Sequence, residues 1–291
     1  MLYTIENDKI KVSAAEKGAE LQSIVLKKNG KEYLWQGTAP YWDGRAYNLF
    51  PVCGRLTDGK YTCNGKEFKM DSHGFVRKTV IKGEVISENE MLFTLVPDEQ
   101  IKAQYPFDFE YKVRYTLKDN TVTTEYTVTN NGSEPMYFSL GGHPGFNVPL
   151  CENESFDDYY LEFDTVTDIK RLVFTPLFDT GKTEACPLTD GKIIEMYHKM
   201  FDNDGLFYTD MSGAITLKSK KSDVFVRVEY PGFENLGLWH TTGSEAPFIC
   251  IEPWSSVPAF DGVVDDLATK KQMFCLEKGQ SHTMSFDITI G

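Results

Sequence analysis

Apolar residues recur every second position along most of the chain. Met91, Phe93 and Leu95 share one face of 91–96, and Phe109, Tyr111, Val113, Tyr115 and Leu117 share one face of 109–117. Val122, Thr124, Tyr126 and Val128 repeat the pattern after an Asp119-Asn120 turn. A period of two is the mark of a strand with one buried face. Shorter runs at 10–13, 21–26, 60–63, 136–140, 159–164, 214–218, 224–230, 236–240 and 282–290 predict further strands. Asn29-Gly30, Asp58-Gly59, Asn64-Gly65 and Asn131-Gly132 mark tight turns between such runs. Phe248-Ile249-Cys250-Ile251 is continuously apolar, which predicts a central strand buried on both faces within 247–252. Residues 98–105 form the best helix candidate of the first half, and 192–200 could be helical or extended.

The pattern predicts an all-β protein of large antiparallel sheets packed face to face. No linker, low-complexity tract or fixed-period repeat divides the sequence, so residues 1–291 are read as one domain.

Charge narrows the partners. The net charge is −13, which argues against nucleic acid or an anionic membrane as the main partner. The N-terminus lacks the basic and apolar blocks of a signal peptide, and no apolar run reaches the ~20 residues of a membrane helix. Six dispersed cysteines without a C-x-x-C pair favour reduced thiols and a cytoplasmic location. Walker, Rossmann, G-x-S-x-G and H-E-x-x-H motifs are absent, and the histidines lack metal-ligand spacing.

One stretch carries the chemistry. In Ser139-Leu140-Gly141-Gly142-His143-Pro144-Gly145-Phe146, a lone imidazole stands among glycines and a proline. It reads as a rigid strand end presenting His143 into a cleared space, and histidine is suited to proton transfer near neutral pH. Glu252 closes the Phe248–Ile251 run beside Pro253-Trp254. Partial desolvation there would make it a stronger base; the alternative is a rim carboxylate paired with lysine. His73, followed by Gly74, could bind a substrate oxygen or only hydrogen-bond backbone. Arg55, after an apolar run, is a ligand clamp or the partner of a buried carboxylate. Arg77 is a weaker version of the same choice. Asp204 belongs to a ligand site or to an acidic turn with Asp202. His240 lines a pocket or packs in the core. Trp35, Trp42, Trp239 and Trp254 could stack on sugar faces, although a tryptophan is more often core, and His198 and His282 look structural or exposed.

The ordered set Gly54-Arg55, Asp71-Ser72-His73-Gly74-Phe75, Gly142-His143-Pro144-Gly145-Phe146 and Ile251-Glu252-Pro253-Trp254 resembles the aldose 1-epimerase (galactose mutarotase) family. The resemblance runs from about Ile10 to Ile288. It implies a galactose mutarotase-like β-supersandwich with a sugar cleft, His143 as general acid and Glu252 as general base. It implies that Arg55, His73 and Asp204 hold sugar hydroxyls; His240 joins them as a candidate contact only from its own place beside Trp239 near a strand end. His-Gly-Phe in place of His-Gly-Gly, and Arg-Leu-Thr-Asp after Gly54, look more like the divergent bacterial branch and the hexose-6-phosphate epimerases. There, Arg77 would hold a phosphate. The implied activity is interconversion of hexose anomers by ring opening and reclosure, without cofactor or metal. The implied partner is a small sugar or sugar phosphate, and the expected state is a monomer or homodimer. Two other readings remain: a non-catalytic carbohydrate-binding protein on the same fold, and a glycoside hydrolase, which would normally need two carboxylates.

Overall fold

The computed structural model describes residues 1–291 except 165–168, 176, 187 and 212. Strands dominate and pair antiparallel. Nine form one sheet in the order Ile193–Glu195, Tyr159–Phe163, Ala214–Ser219, Phe225–Glu229, Ser281–Ile290, Thr121–Asn130, Phe109–Lys118, Glu90–Leu95 and Lys82–Ser87. Seven form a second, in the order Asp179–Ala185, Lys170–Phe174, Leu206–Thr209, Asn235–Trp239, Phe248–Trp254, Gly141–Asn147 and Ala46–Leu49. A four-stranded N-terminal sheet spans Leu2–Glu32. Burial alternates residue by residue along Phe109–Lys118 and Thr121–Asn130, as the sequence period requires.

The two large sheets meet through their inner faces. Tyr126 of the nine-stranded sheet donates its hydroxyl to Asn48 Oδ1 at 2.7 Å and approaches the Gly141 carbonyl at 3.1 Å. Phe286 packs against Gly142 so closely that a Cβ there would lie 2.6 Å from its ring. Any larger residue at 142 would force the sheets apart.

The structure corrects one expectation, settles an open one and adds strands that the sequence did not show. Gly141–Asn147 is not a strand end. It is a strand, buried throughout but for Asn147, between Ala46–Leu49 and Phe248–Trp254. Its glycines answer to close packing rather than to a turn. Residues 192–200 hold no α-helix: Ile193–Glu195 is an edge strand and His198–Phe201 a short 3-10 helix. Ile194 and Met196 are buried on either side of exposed Glu195, a period of two too short to read against the helix alternative. Lys170–Phe174 and Asp179–Ala185 escaped notice because neither carries alternation: the first runs Leu172-Val173-Phe174 with only Leu172 buried, and the second is polar and largely exposed.

The helix at 98–105 is present as Glu99–Gln104, with the Asp98 carboxylate accepting from the Ile101 N–H at 2.8 Å. No helix among the described residues is long and apolar enough to cross a membrane.

Candidate active site

Strand register brings the two principal residues together. Gly141 pairs with Trp254 and Gly145 with Cys250; continuing that register sets His143 opposite Glu252. The ladder is open between these pairs. Two prolines explain the gap. Gly145 N–H bonds the Arg45 carbonyl on one side, and Ser255 N–H bonds the Leu140 carbonyl. Donor direction alternates along a strand, so the nitrogens of Pro144 and Pro253 face each other's strand, where neither has a proton to donate.

Alternation also decides which side chains leave the core. Gly142 points to Phe286 in the sheet interface, so His143 points to the opposite, open face. Ile249 and Ile251 enter the core, while Cys250, Glu252 and Trp254 share the other face.

That face forms the floor of a cavity of about 370 Å³. Its lining includes Arg55, His73, Arg77, His143, Asp204 and Glu252. His143 Nε2 lies 3.2 Å from Glu252 Oε2, with the two side chains 9% and 1% exposed. They are close but not aligned as a hydrogen bond, for Glu252 Oε2, His143 Nδ1 and Trp254 Nε1 are all buried without a partner. Buried polar atoms are normally satisfied. Three unsatisfied ones at the floor of one cavity mark a place where a polar ligand completes the structure.

Burial acts on both groups in the same sense. Desolvation holds the Glu252 carboxyl well above its ordinary value, and the nearby Asp204 charge adds to that. Desolvation pulls the His143 imidazole down to about 3. Burial therefore favours a neutral acid beside a neutral imidazole, rather than the preformed ion pair that the motif alone implies.

His73 sits at φ 65°, a left-handed conformation that side chains seldom adopt, held by its own N–H donating to the Gly54 carbonyl at 2.8 Å. Gly54 N–H in turn donates to His73 Nδ1 at 3.2 Å. Nδ1 is thus the acceptor, and Nε2 carries the proton. Desolvation, reinforced by His143, Arg77 and Arg55, holds this imidazole well below its usual value. It is a neutral donor. Asp204, also left-handed at φ 79°, accepts from Arg55 Nη1 at 2.8 Å. Arg77 donates Nε–H to the Ser72 carbonyl at 3.1 Å and lies 5.5 Å from the Tyr47 ring centroid. Among the described residues it forms no ion pair.

His240 is not in this cavity. Trp239 lines it, and the next residue along the chain faces the other way. His240 is fully buried, with Nδ1 2.9 Å from the Thr241 carbonyl and Nε2 3.2 Å from His198 Nδ1. Three tryptophans, Trp42, Trp239 and Trp254, wall the cavity, whereas Trp35 packs beneath on Phe248. Gly54 also lines the cavity, and Tyr47, Asp43, Ser72, Phe174, Phe207 and Pro258 complete the lining without having been singled out from sequence. Tyr47 had a signal to find: it alternates with buried Ala46 and Asn48 and pairs directly with His143.

Cys250 Sγ lies within 4.8 Å of ligand atoms of His143 and Glu252. Burial pushes its thiol well above the usual range, so it stands as a neutral packing group beneath the pair.

A family model for aldose 1-epimerase matches residues 1–286. The plasmid form of protein LacX from Lactococcus lactis subsp. lactis is 35% identical over 300 aligned positions, covering 100% of this chain and 99% of that protein. A galactose mutarotase-like protein from Lactobacillus casei superposes with a TM-score of 0.95 at 32% identity, over 100% of both chains. A galactose mutarotase related enzyme from Lactobacillus acidophilus gives 0.96 at 30% identity, covering 100% of this chain and 97% of that one. The all-β architecture is thus a galactose mutarotase-like fold, and the chain belongs to the aldose 1-epimerase family.

Proposed function

We propose that this protein is a hexose 1-epimerase in which Glu252 is the general base and His143 the general acid. The observation that carries the reading is the opposed pair itself: an imidazole and a carboxylate 3.2 Å apart, buried and without aligned partners, on the floor of a polar cavity.

The chemistry follows from the pair. Glu252 as carboxylate takes the proton of the C1 hydroxyl, and the O–H electrons form the C1=O bond. The C1–ring oxygen bond breaks as His143, as imidazolium, protonates the leaving oxygen. Rotation about C1–C2 and the reverse steps give the other anomer. In the open-chain state Glu252 is protonated and His143 neutral, which is the state that burial favours. The same burial makes the carboxylate a strong base and the imidazolium a strong acid once the bound sugar shifts the Glu252 proton to His143. Each of these groups typically contributes roughly 10²–10⁴-fold. Neutral His73 donates Nε2–H to a sugar oxygen, and the Arg55–Asp204 pair offers donors and an acceptor to the hydroxyls.

Arg77 supports a second reading in which the hexose carries a 6-phosphate. A guanidinium on the cavity wall without a carboxylate partner suits a phosphate, which accepts bidentate hydrogen bonds.

Polarimetry on freshly dissolved α-glucose, α-galactose and their 6-phosphates tests both readings. Faster mutarotation of any of them supports the epimerase. No acceleration of all four overturns it. An Arg77→Ala variant that loses only the phosphosugar rate selects the second reading.

A further inference from the structure

We propose that His143, Cys250 and Glu252 form a binding site for a divalent cation of the zinc class, and that a metal held there shuts off sugar turnover. The site stands on geometry alone. Its effect on turnover rests on the epimerase reading, because two of the three ligands are the acid and the base.

The three side chains come from adjacent strands. Cys250 and Glu252 are two residues apart on Phe248–Trp254, so alternation puts both on one face. His143 stands across from Glu252 on the neighbouring strand. One ligand atom from each residue, an imidazole nitrogen, the thiol sulfur and a carboxylate oxygen, lies within 4.8 Å of the other two. Zinc holds nitrogen and oxygen at about 2.0–2.2 Å and sulfur at about 2.3 Å, so ligands of one tetrahedral site stand roughly 3.3–3.5 Å apart. His143 Nε2 and Glu252 Oε2 are already 3.2 Å apart. The sulfur reaches that spacing by a shift of about 1 Å, a limited turn about its Cα–Cβ bond.

A second observation points to a ligand. Glu252 Oε2 is buried and no donor is aligned with it. A metal ion satisfies such a lone pair directly, where a hydrogen bond does not.

Charge and softness select the ion. A coordinating thiol gives up its proton, so the set offers one thiolate, one carboxylate and one neutral imidazole. Two negative charges cancel those of a divalent cation, and a neutral cluster costs least to bury. A thiolate ligand favours zinc over magnesium or calcium. His143 and Glu252 line the cavity, and Cys250 packs beneath them. The metal therefore enters from the cavity and keeps its fourth position towards it. Binding releases the thiol proton, with the carboxyl proton where Glu252 carries one, to solvent. The metal then holds the lone pairs that Glu252 and His143 would use to move protons on the sugar.

The test adds zinc chloride to the protein kept reduced by a phosphine. Affinity is read by competition with a chromophoric chelator. Ligation is read from the thiolate-to-cobalt charge-transfer band when cobalt(II) replaces zinc, and turnover by polarimetry. The expected result is one tight zinc site, a charge-transfer band that Cys250→Ala removes, and mutarotation that zinc arrests and a chelator restores. Cys250→Ala and Glu252→Gln should each weaken zinc binding by roughly a hundredfold, and Glu252→Gln carries the test alone if Cys250→Ala does not fold. Magnesium at the same concentration should neither compete nor inhibit. The difference between wild type and Cys250→Ala excludes metal held by other thiols, such as exposed Cys275. Absence of zinc binding overturns the proposal, as does affinity that survives both substitutions or a charge-transfer band that survives Cys250→Ala. If the metal-free protein speeds mutarotation and zinc does not bind, the metal site fails and the epimerase reading stands. If zinc binds with the expected losses and the metal-free protein turns over no sugar, the metal site stands and the epimerase reading fails.

Discussion

Two buried histidines in this molecule look alike by charge and differ in everything that matters for chemistry. His143 is 7% exposed and His240 fully buried, and desolvation lowers the first to about 3 and the second to about 4. Yet both nitrogens of His240 have partners, and rings of Phe156 and Phe201 pack against it at 5.5 and 4.3 Å. His143 leaves Nδ1 unpaired and meets a carboxylate without alignment, on the wall of a cavity. A depressed pKa therefore marks burial, not catalysis. Unsatisfied polar atoms facing open space make the distinction.

The comparison is most exposed at Glu252. Glu252→Gln keeps the shape and removes the base, so the mutarotation rate should fall roughly 10³-fold or more, read by polarimetry. The folded protein should become more stable at the same time. Glu252 holds its proton in the fold to higher pH than in the unfolded chain, so its contribution weakens as pH rises above about 4.5. The gain in melting temperature should be larger at pH 8 than at pH 5. Loss of rate with loss of stability would instead make Glu252 a structural group.

His143→Asn should cost roughly 10²–10⁴-fold in kcat with the fold retained. By contrast, His240→Ala should leave kcat within a few-fold and lower stability by about 2–4 kcal/mol, through the cavity left among Phe156, Phe201 and Phe248. Denaturant melts beside rate measurements check this double dissociation. If His240→Ala abolished turnover in a stable protein, the contrast between the two histidines would collapse.

Arg55→Ala should act mainly on KM, raising it roughly ten- to a hundredfold, if the guanidinium holds hydroxyls as proposed and not the breaking bond. The ion pair with Asp204 is partly exposed, so its loss should change stability little.

The smallest effect is in the pH dependence of stability. His240 stays neutral in the fold down to about pH 4, while the unfolded chain takes up that proton near 6.5. Stability is therefore lost as pH falls from 6.5 towards 4. A His240→Phe variant should lose less than the wild type across that window in calorimetric melts.

Much of this molecule was readable along the chain. Alternation found the long strands at 109–118 and 121–130, because each has one face in the core and one towards solvent. It failed at 141–147, where both faces are buried and glycines replace apolar residues to let Phe286 and Trp42 approach. It failed also at the outer strands 170–174 and 179–185, where little is buried. Arg55, His73, His143, Asp204 and Glu252 could be named from their order and neighbours. His240 was drawn into the same set by its place beside Trp239, although one step along a strand reverses the direction of a side chain.

The sequence by itself determined the class of fold, since a period of two over so many short segments admits only sheets. It also determined the chemistry on offer, because the residue types fix which protons can move. Tertiary structure alone decided which groups meet. His143 and Glu252 stand more than a hundred residues apart and are brought opposite by register, a property of two strands and not of either one. Their protonation is set by desolvation, which depends on what packs around them. The cavity itself, built where Trp42, Phe174, Trp239 and Trp254 converge from separate segments, has no linear trace at all.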